Sequence, residues 1–277
     1  MSSPLPDPDR LAAAGLRLDR QGPVVTISLD RPERRNAQTP TTWRTLAAIG
    51  EGLGDDVRVV VVRGEGVAFS AGLDKAMHPG APAGGEGATG EESVGAVVAA
   101  GDDAAAAATI AEYQAGFTFL RDPRFVSVAA VRGHAIGAGF QLALACDLRV
   151  AAEDATFTMK ESALGLVPDL AGTKPLVEAV GYARALEICV TARPVPAAEA
   201  LALGLVQAVV GLDALEETVT GLAALLARTD AAVLAETKAL LLGASERSLA
   251  EQCRLEREAQ VRRLRALAGE HADAGGR

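Results

Sequence analysis

Two runs of β-branched and small apolar residues, VRVVVVRG (57–64) and RFVSVAAVRG (124–133), each end at a glycine. Neither shows the polar alternation of a half-solvated strand, so each reads as a strand buried on both faces. Such strands need cover above and below, which points to a sheet flanked by helices. The rest of the chain fits. GPVVTISLDRP (22–32) is a strand closed by proline, and a helix runs from 41 to 53 with Trp43 and Leu46 on one side. IAEYQAGFTFLRD (110–122) has helical spacing, and DLRVAAEDATFTMKE (147–161) holds two short strands around a turn at Glu153–Asp154. From Leu176 onward almost everything is helical in period. Strands alternating with helices, then a helical last third, predict an α/β fold.

The expected division is a Pro/Asp-rich disordered lead over 1–14, an α/β core over 15–195 and a helical region over 196–277. Within the core, Gly, Ala and Glu dominate 79–108, a stretch with too few large apolar groups to pack; it reads as a flexible loop or lid. The formal charge of −9 argues against a nucleic-acid partner, which needs a basic footprint to displace counterions. A polyanionic ligand would need a local basic cluster, because the overall field repels it. Cys146, Cys189 and Cys253 fall at no metal-ligand spacing and cannot all pair, as expected of reduced thiols. No apolar run of membrane-spanning length is free of charge, and MSSPLPDPDR has no signal-peptide core. The expectation is a soluble, cytoplasmic protein with no membrane partner, no metal and no separate cofactor.

Chemistry is suggested where buried strands meet glycines. In GHAIGAGFQLALACD (133–147) a strand turns through glycines into an apolar segment of helical length. That turn exposes the free N–H groups of a helix N-terminus, a site for a phosphate or a developing oxyanion. Nucleotide-binding reductases share the Gly-x-x-x-Gly-x-Gly spacing. Here, however, it lies mid-chain, and neither Tyr113 nor Tyr182 is followed four residues later by lysine. AFSAGLD (68–74) also follows a valine strand, and Ala71-Gly72 lets the backbone approach a ligand with the Leu73 N–H free. Two such turns suggest a two-donor oxyanion hole, in which one donor is worth about 2.7–4 kcal/mol of transition-state stabilisation.

These segments, with KESALGLVPDLAGT, ARPVPAAEALALGLVQAVV and the opening SLDRPERRNA, resemble the crotonase (enoyl-CoA hydratase/isomerase) family in order and spacing over roughly 20–240. The resemblance implies a spiral of repeated ββα units with a helical C-terminal trimerisation region. It also implies acyl-CoA thioesters as substrates, with coenzyme A arriving as part of the substrate, and a homotrimer or hexamer. It places the oxyanion donors at Leu73 and Ala138. Arg31, Arg34 and Arg35 fall where the family contacts CoA, and Ala37, Ala71 and Asp74 match positions lining its adenine pocket.

The acid–base positions separate the possible reactions. Family hydratases use two glutamates; one matches Glu161, whose apolar setting should raise its pKa, and the other position is Gln141. An amide can orient a water but cannot take its proton. One base suffices to shift a double bond, so an enoyl-CoA isomerase with Glu161 as proton shuttle is the expected activity. Asp169 follows Glu161 by eight residues, as in the dienoyl-CoA isomerase subgroup, where both move protons; it also fits a helix N-cap before LAGTKPLVEAV. A dienoyl-CoA isomerase, an enoyl-CoA hydratase and a non-catalytic acyl-CoA-binding protein are the alternatives. His134 reads as structural, and Ser248 with Glu251 as the capping box of the last helix.

Overall fold

The computed structural model describes residues 3–78 and 93–274. Nine strands are present among them: β1 (Leu16–Gln21), β2 (Val24–Leu29), β3 (Val59–Gly64), β4 (Val126–Val131), β5 (His134–Ile136), β6 (Leu148–Ala152), β7 (Thr156–Thr158), β8 (Val195–Pro196) and β9 (Ala208–Val210). The main sheet has the order β1-β2-β3-β4-β6-β9, antiparallel only between β1 and β2. A second sheet, β5-β7-β8, stands beside it.

The valine runs form β3 and β4, in the middle of the main sheet. Their side chains alternate between two cores: Val60 and Val62 join one apolar cluster, Val59 and Val61 the other. The first face is covered by α2 (Pro40–Gly52) and α4 (Asp103–Thr118), where Trp43 packs 5.1 Å from Tyr113 and 6.2 Å from Phe117, centroid to centroid. The second is covered by α9 (Leu215–Ala227), through Leu215, Val219 and Ala223. Continuous apolar strands therefore have helices on both faces, as parallel sheets require.

Several segments differ from the sequence expectation. Within the expected disordered lead, residues 8–13 form α1 (Pro8–Ala13). Asp7 caps it by accepting from Arg10 N at 2.8 Å, proline occupies its first turn, and Leu11 packs on the core. Of the expected loop, 79–92 lie outside the described residues. Residues 93–108 are largely helical, in α3 (Val94–Ala100) and the first turns of α4, capped by Ser93 and Asp102. Alanine has the highest helix propensity, so a stretch poor in large side chains still forms helix once capped. Strands β1 and β9 come from segments not read as strands; β9 hydrogen-bonds to β6, so chain on both sides of residue 195 shares one core.

Beyond β5 come α5 (Ala138–Ala145), α6 (Thr173–Val180), α7 (Tyr182–Thr191) and α8 (Ala197–Ala202). The C-terminal region continues as α10 (Ala231–Leu242) and α11 (Leu249–Ala274). Helix α10 is tied to the sheet by buried Lys238, whose Nζ donates to Asp147 Oδ2 at 2.7 Å and Phe125 O at 2.8 Å. Ser248 Oγ accepts from Glu251 N at 3.2 Å, while the Glu251 carboxylate turns to Arg254.

Candidate active site

The two glycine turns pack against each other at the ends of β3 and β5. After β3, the chain bridges residue 38 in parallel fashion: Gln38 N donates to Gly72 O and Gln38 O accepts from Asp74 N, each at 2.8 Å. That pairing uses the groups flanking Leu73, so the Leu73 N–H faces the other way and donates to no described residue. Gly72 has φ +82°, and a Cβ there would lie 2.4 Å from Ile136 O and 3.4 Å from Ala138 N. Only glycine permits this approach.

Ala138 opens α5, preceded by Gly137 at φ 53° with its N–H donated to Thr158 O at 2.8 Å. The Ala138 N–H is an unsatisfied first-turn donor; the first N–H of this helix to reach a helical acceptor is that of Gln141, on Gly137 O at 2.9 Å. The Leu73 and Ala138 amides, expected as the oxyanion donors, are thus neighbouring and uncommitted among the described residues.

Next to them stands the expected proton shuttle. Glu161 begins a short 3-10 turn (Glu161–Leu164) and is 8 % exposed; a Cβ on Gly137 would lie 3.3 Å from its Oε1. Oε1 accepts from Gln141 Nε2 at 2.7 Å. Oε2 is buried with no hydrogen-bond partner among the described residues. Burial pushes the Glu161 pKa up, opposed by hydrogen bonds including that of Gln141 and reinforced by the nearby Asp169 charge. Gln141 is fully buried, and its own oxygen accepts from Leu170 N at 2.9 Å and Gly172 N at 3.4 Å.

Asp169 does not cap the following helix: α6 starts at Thr173, and Gly172 holds the cap position without a side-chain bond. Its pKa is also raised, by burial. The structure therefore brings Glu161, Gln141 and Asp169 to one place, on three segments of chain.

The arginine segment folds onto the Leu73 turn. Asp74, 1 % exposed, receives Arg31 at 3.3 Å and Arg34 at 3.1 Å, and accepts from Ala76 N at 3.1 Å. Arg31 also donates to Ala37 O at 3.2 Å, and Arg35 O accepts from Ala71 N at 2.8 Å. Arg31, Arg34, Ala37, Ala71 and Asp74 thus share one corner; the Arg35 side chain is exposed. The Asp74 carboxylate, matched by sequence to a pocket lining, serves here as the counter-charge of the arginines.

The sequence reading missed the buried polar residues that hold these turns. Asn36 Nδ2 donates to Glu65 O at 2.9 Å and Ala68 O at 2.8 Å, while its Oδ1 accepts from Arg31 N at 3.0 Å. Ser70 Oγ donates to Asn36 O at 2.7 Å, and accepts from Gln38 Nε2 at 2.9 Å and Gly72 N at 3.1 Å. Ser70 alone carried a signal, a polar residue inside the apolar window VAFSAGL; Asn36 and Gln38 lie in a polar stretch that marks neither. His134 lies at the surface, its Nδ1 2.8 Å from Thr156 Oγ1. Among the described residues no group of three or more His, Cys, Asp or Glu could hold a metal ion.

The comparisons with known proteins point to one family. The sequence model described as enoyl-CoA hydratase/isomerase matches residues 19–267. The chain is 33 % identical over 245 residues to a probable enoyl-CoA hydratase of Rhizobium meliloti (strain 1021), covering 87 % of this chain and 86 % of that protein. It is 33 % identical to carnitinyl-CoA dehydratase of Salmonella typhi over 242 residues, covering 85 % and 83 % respectively. A Thermobifida fusca YX protein solved in complex with CoA superposes with a TM-score of 0.88 at 49 % identity, over 96 % of this chain and 98 % of that one. The same protein was also solved with acetoacetyl-CoA. A family match over most of the length, on an α/β core with two uncommitted N–H donors beside a buried glutamate among the described residues, places this chain in the crotonase, or enoyl-CoA hydratase/isomerase, family.

Proposed function

We propose that this protein is an enoyl-CoA isomerase-type enzyme that moves a double bond along an acyl-CoA thioester. The Leu73 and Ala138 N–H groups receive the thioester oxygen as it becomes an enolate oxygen. Glu161 takes the proton from C2 of a 3-enoyl thioester, and the C–H electron pair flows into a dienolate. Return of that proton to C4 leaves the double bond between C2 and C3. The arginine turn at Arg31 and Arg34 offers the local positive charge that a CoA phosphate requires.

One observation carries the choice of reaction. The Gln141 oxygen already accepts from two backbone N–H groups, Leu170 and Gly172, so it has no lone pair left to draw a proton from an attacking water. Glu161, beside the donors, keeps one buried carboxylate oxygen uncommitted among the described residues. A single base fits double-bond migration better than two-carboxylate hydration. A dienoyl-CoA isomerase is the second reading, favoured by Asp169, whose charge bears on Glu161. We also infer a homotrimer or hexamer. Its support is an apolar stripe on α7, where Tyr182, Leu186 and Val190 recur every fourth residue and stand 71 %, 48 % and 65 % exposed.

The test is incubation with 3-enoyl-, 2-enoyl- and 3,5-dienoyl-CoA, following absorbance and α-proton exchange, with Glu161→Gln as control. The expected result is isomerisation of the 3-enoyl thioester, falling about 10²–10⁴-fold in the variant while CoA-ester binding persists. Rapid hydration by the wild type would overturn the isomerase reading. Tight binding with no exchange on any substrate would leave an acyl-CoA-binding protein.

A further inference from the structure

The amide of Gln141 has a settled orientation. Its oxygen must face the two peptide N–H donors of Leu170 and Gly172, so its NH₂ must face Glu161 Oε1. Glu161 Oε1 is thereby held by a donor at 2.7 Å, and Oε2 is left without one among the described residues. A buried polar atom without a partner is costly unless something arrives to fill the gap. We propose that Gln141 is a positioning residue that makes Glu161 Oε2 the single proton-carrying atom of the site, so that a proton taken from one substrate carbon returns to another through the same oxygen. The inference rests on Glu161 being the proton shuttle and adds to it which oxygen carries the proton, and why.

In the carboxylate state, Oε1 accepts from Gln141 and Oε2 offers its lone pairs to the substrate C–H. In the acid state the new O–H bond is on Oε2, because Oε1 already faces a donor. The electron pair of the broken C–H bond resides in the dienolate until the O–H bond breaks and the proton is returned. No other reactant is consumed. Three further titratable groups stand near Glu161: Asp169 from the loop before α6, Cys189 from α7, and Lys160 just ahead of it in the chain. Asp169 lies on the segment that the Gln141 oxygen holds through Leu170 N, a contact that Gln141→Glu keeps.

The experiment compares wild type with Gln141→Glu and Gln141→Met. Glutamate at 141 keeps an acceptor for Leu170 and Gly172 and removes the donor to Glu161. Methionine removes both, and it introduces no second carboxylate. The first readout is exchange of the α-proton of a saturated acyl-CoA into deuterated water as a function of pH, which needs an enolate and a base but no double-bond shift. Loss of the Gln141 donor destabilises the carboxylate, so the low-pH limb of exchange should move up by about one to two pH units in both variants. A limb that stays in place in Gln141→Glu overturns the proposal while leaving Glu161 as the base.

The second readout is isomerisation of a 3-enoyl-CoA dideuterated at C2, run in ordinary water. Wild type should deliver deuterium to C4, and Gln141→Glu should lose it to solvent through the second carboxylate. Complete wash-out by an active wild type overturns return through one oxygen. Failure of wild type to isomerise at all overturns the isomerase reading instead, and the exchange limb still decides the role of Gln141.

Discussion

Two buried carboxylates lie close to the Leu73 and Ala138 N–H groups, and they are built in opposite ways. Asp74, at 1 % exposure, faces two guanidinium groups and a backbone N–H, so both its oxygens are engaged. Glu161, at 8 % exposure, has one neutral amide on one oxygen and no partner among the described residues on the other. Burial depth is similar, yet the surroundings assign different work. A carboxylate answered by opposite charge locks two turns together. One left half-answered holds its proton more readily and can trade it with a ligand.

The comparison breaks most severely at Asp74. Asn at this position would leave Arg31 and Arg34 facing each other without their counter-charge. Because those arginines keep 18 % and 32 % of their side-chain surface in solvent, the expected loss is about 2–3 kcal/mol, below that of a fully buried pair. Denaturant unfolding measures it, and unchanged stability would mean that Asp74 is no anchor.

Glu161→Gln should act on stability with the opposite sign. The folded-state pKa of Glu161 is raised, so its contribution to stability is full below the ordinary carboxylate pKa and is lost as pH rises through the raised value. At pH 7 the wild type carries that penalty and the glutamine variant does not. The variant should therefore be the more stable of the two near neutrality, with the gap closing in acid. Melting curves across pH check the sign; a variant less stable at neutral pH would contradict it.

The smallest effect is expected at Asp169. Its charge raises the Glu161 pKa, so Asp169→Asn should move the low-pH limb of proton exchange downward, by less than the shift expected at Gln141. If Asp169 instead moves protons itself, activity on a 3,5-dienoyl-CoA would collapse while the 3-enoyl reaction survives. That outcome favours the dienoyl reading.

Much of the fold was legible because its central strands are buried on both faces. Valine runs such as Val59–Val62 have one reading as strands, and glycine turns after them mark where backbone must come close. The edges were harder to read. Strand β1, LRLDRQ, is polar enough to pass for loop, and β9 is three residues long. Both exist because a neighbouring strand offers hydrogen bonds, a cause that local pattern does not carry. The first turns of α4, over 103–108, were obscured for another reason: alanine-rich sequence reads as low complexity, although a cap at Asp102 suffices to start the helix.

The site divides along the same line. The glycine turns before Leu73 and Ala138 were legible in the sequence, and the family resemblance singled out these two residues, because a free N–H at such a turn is a local consequence of backbone geometry. The sequence also set which residue types were available: a glutamate at 161 and an amide at 141. What those side chains do was decided by tertiary structure. The Leu170 and Gly172 N–H groups that saturate Gln141 lie 29 and 31 residues away in sequence, and Asp74 meets Arg31 across 43. Hydrogen bonds and desolvation depend on distances in space, and folding sets those between residues far apart in the chain. For that reason the two glycine turns could be located from sequence, while the difference between a charge-paired carboxylate and a half-satisfied one needed the folded chain.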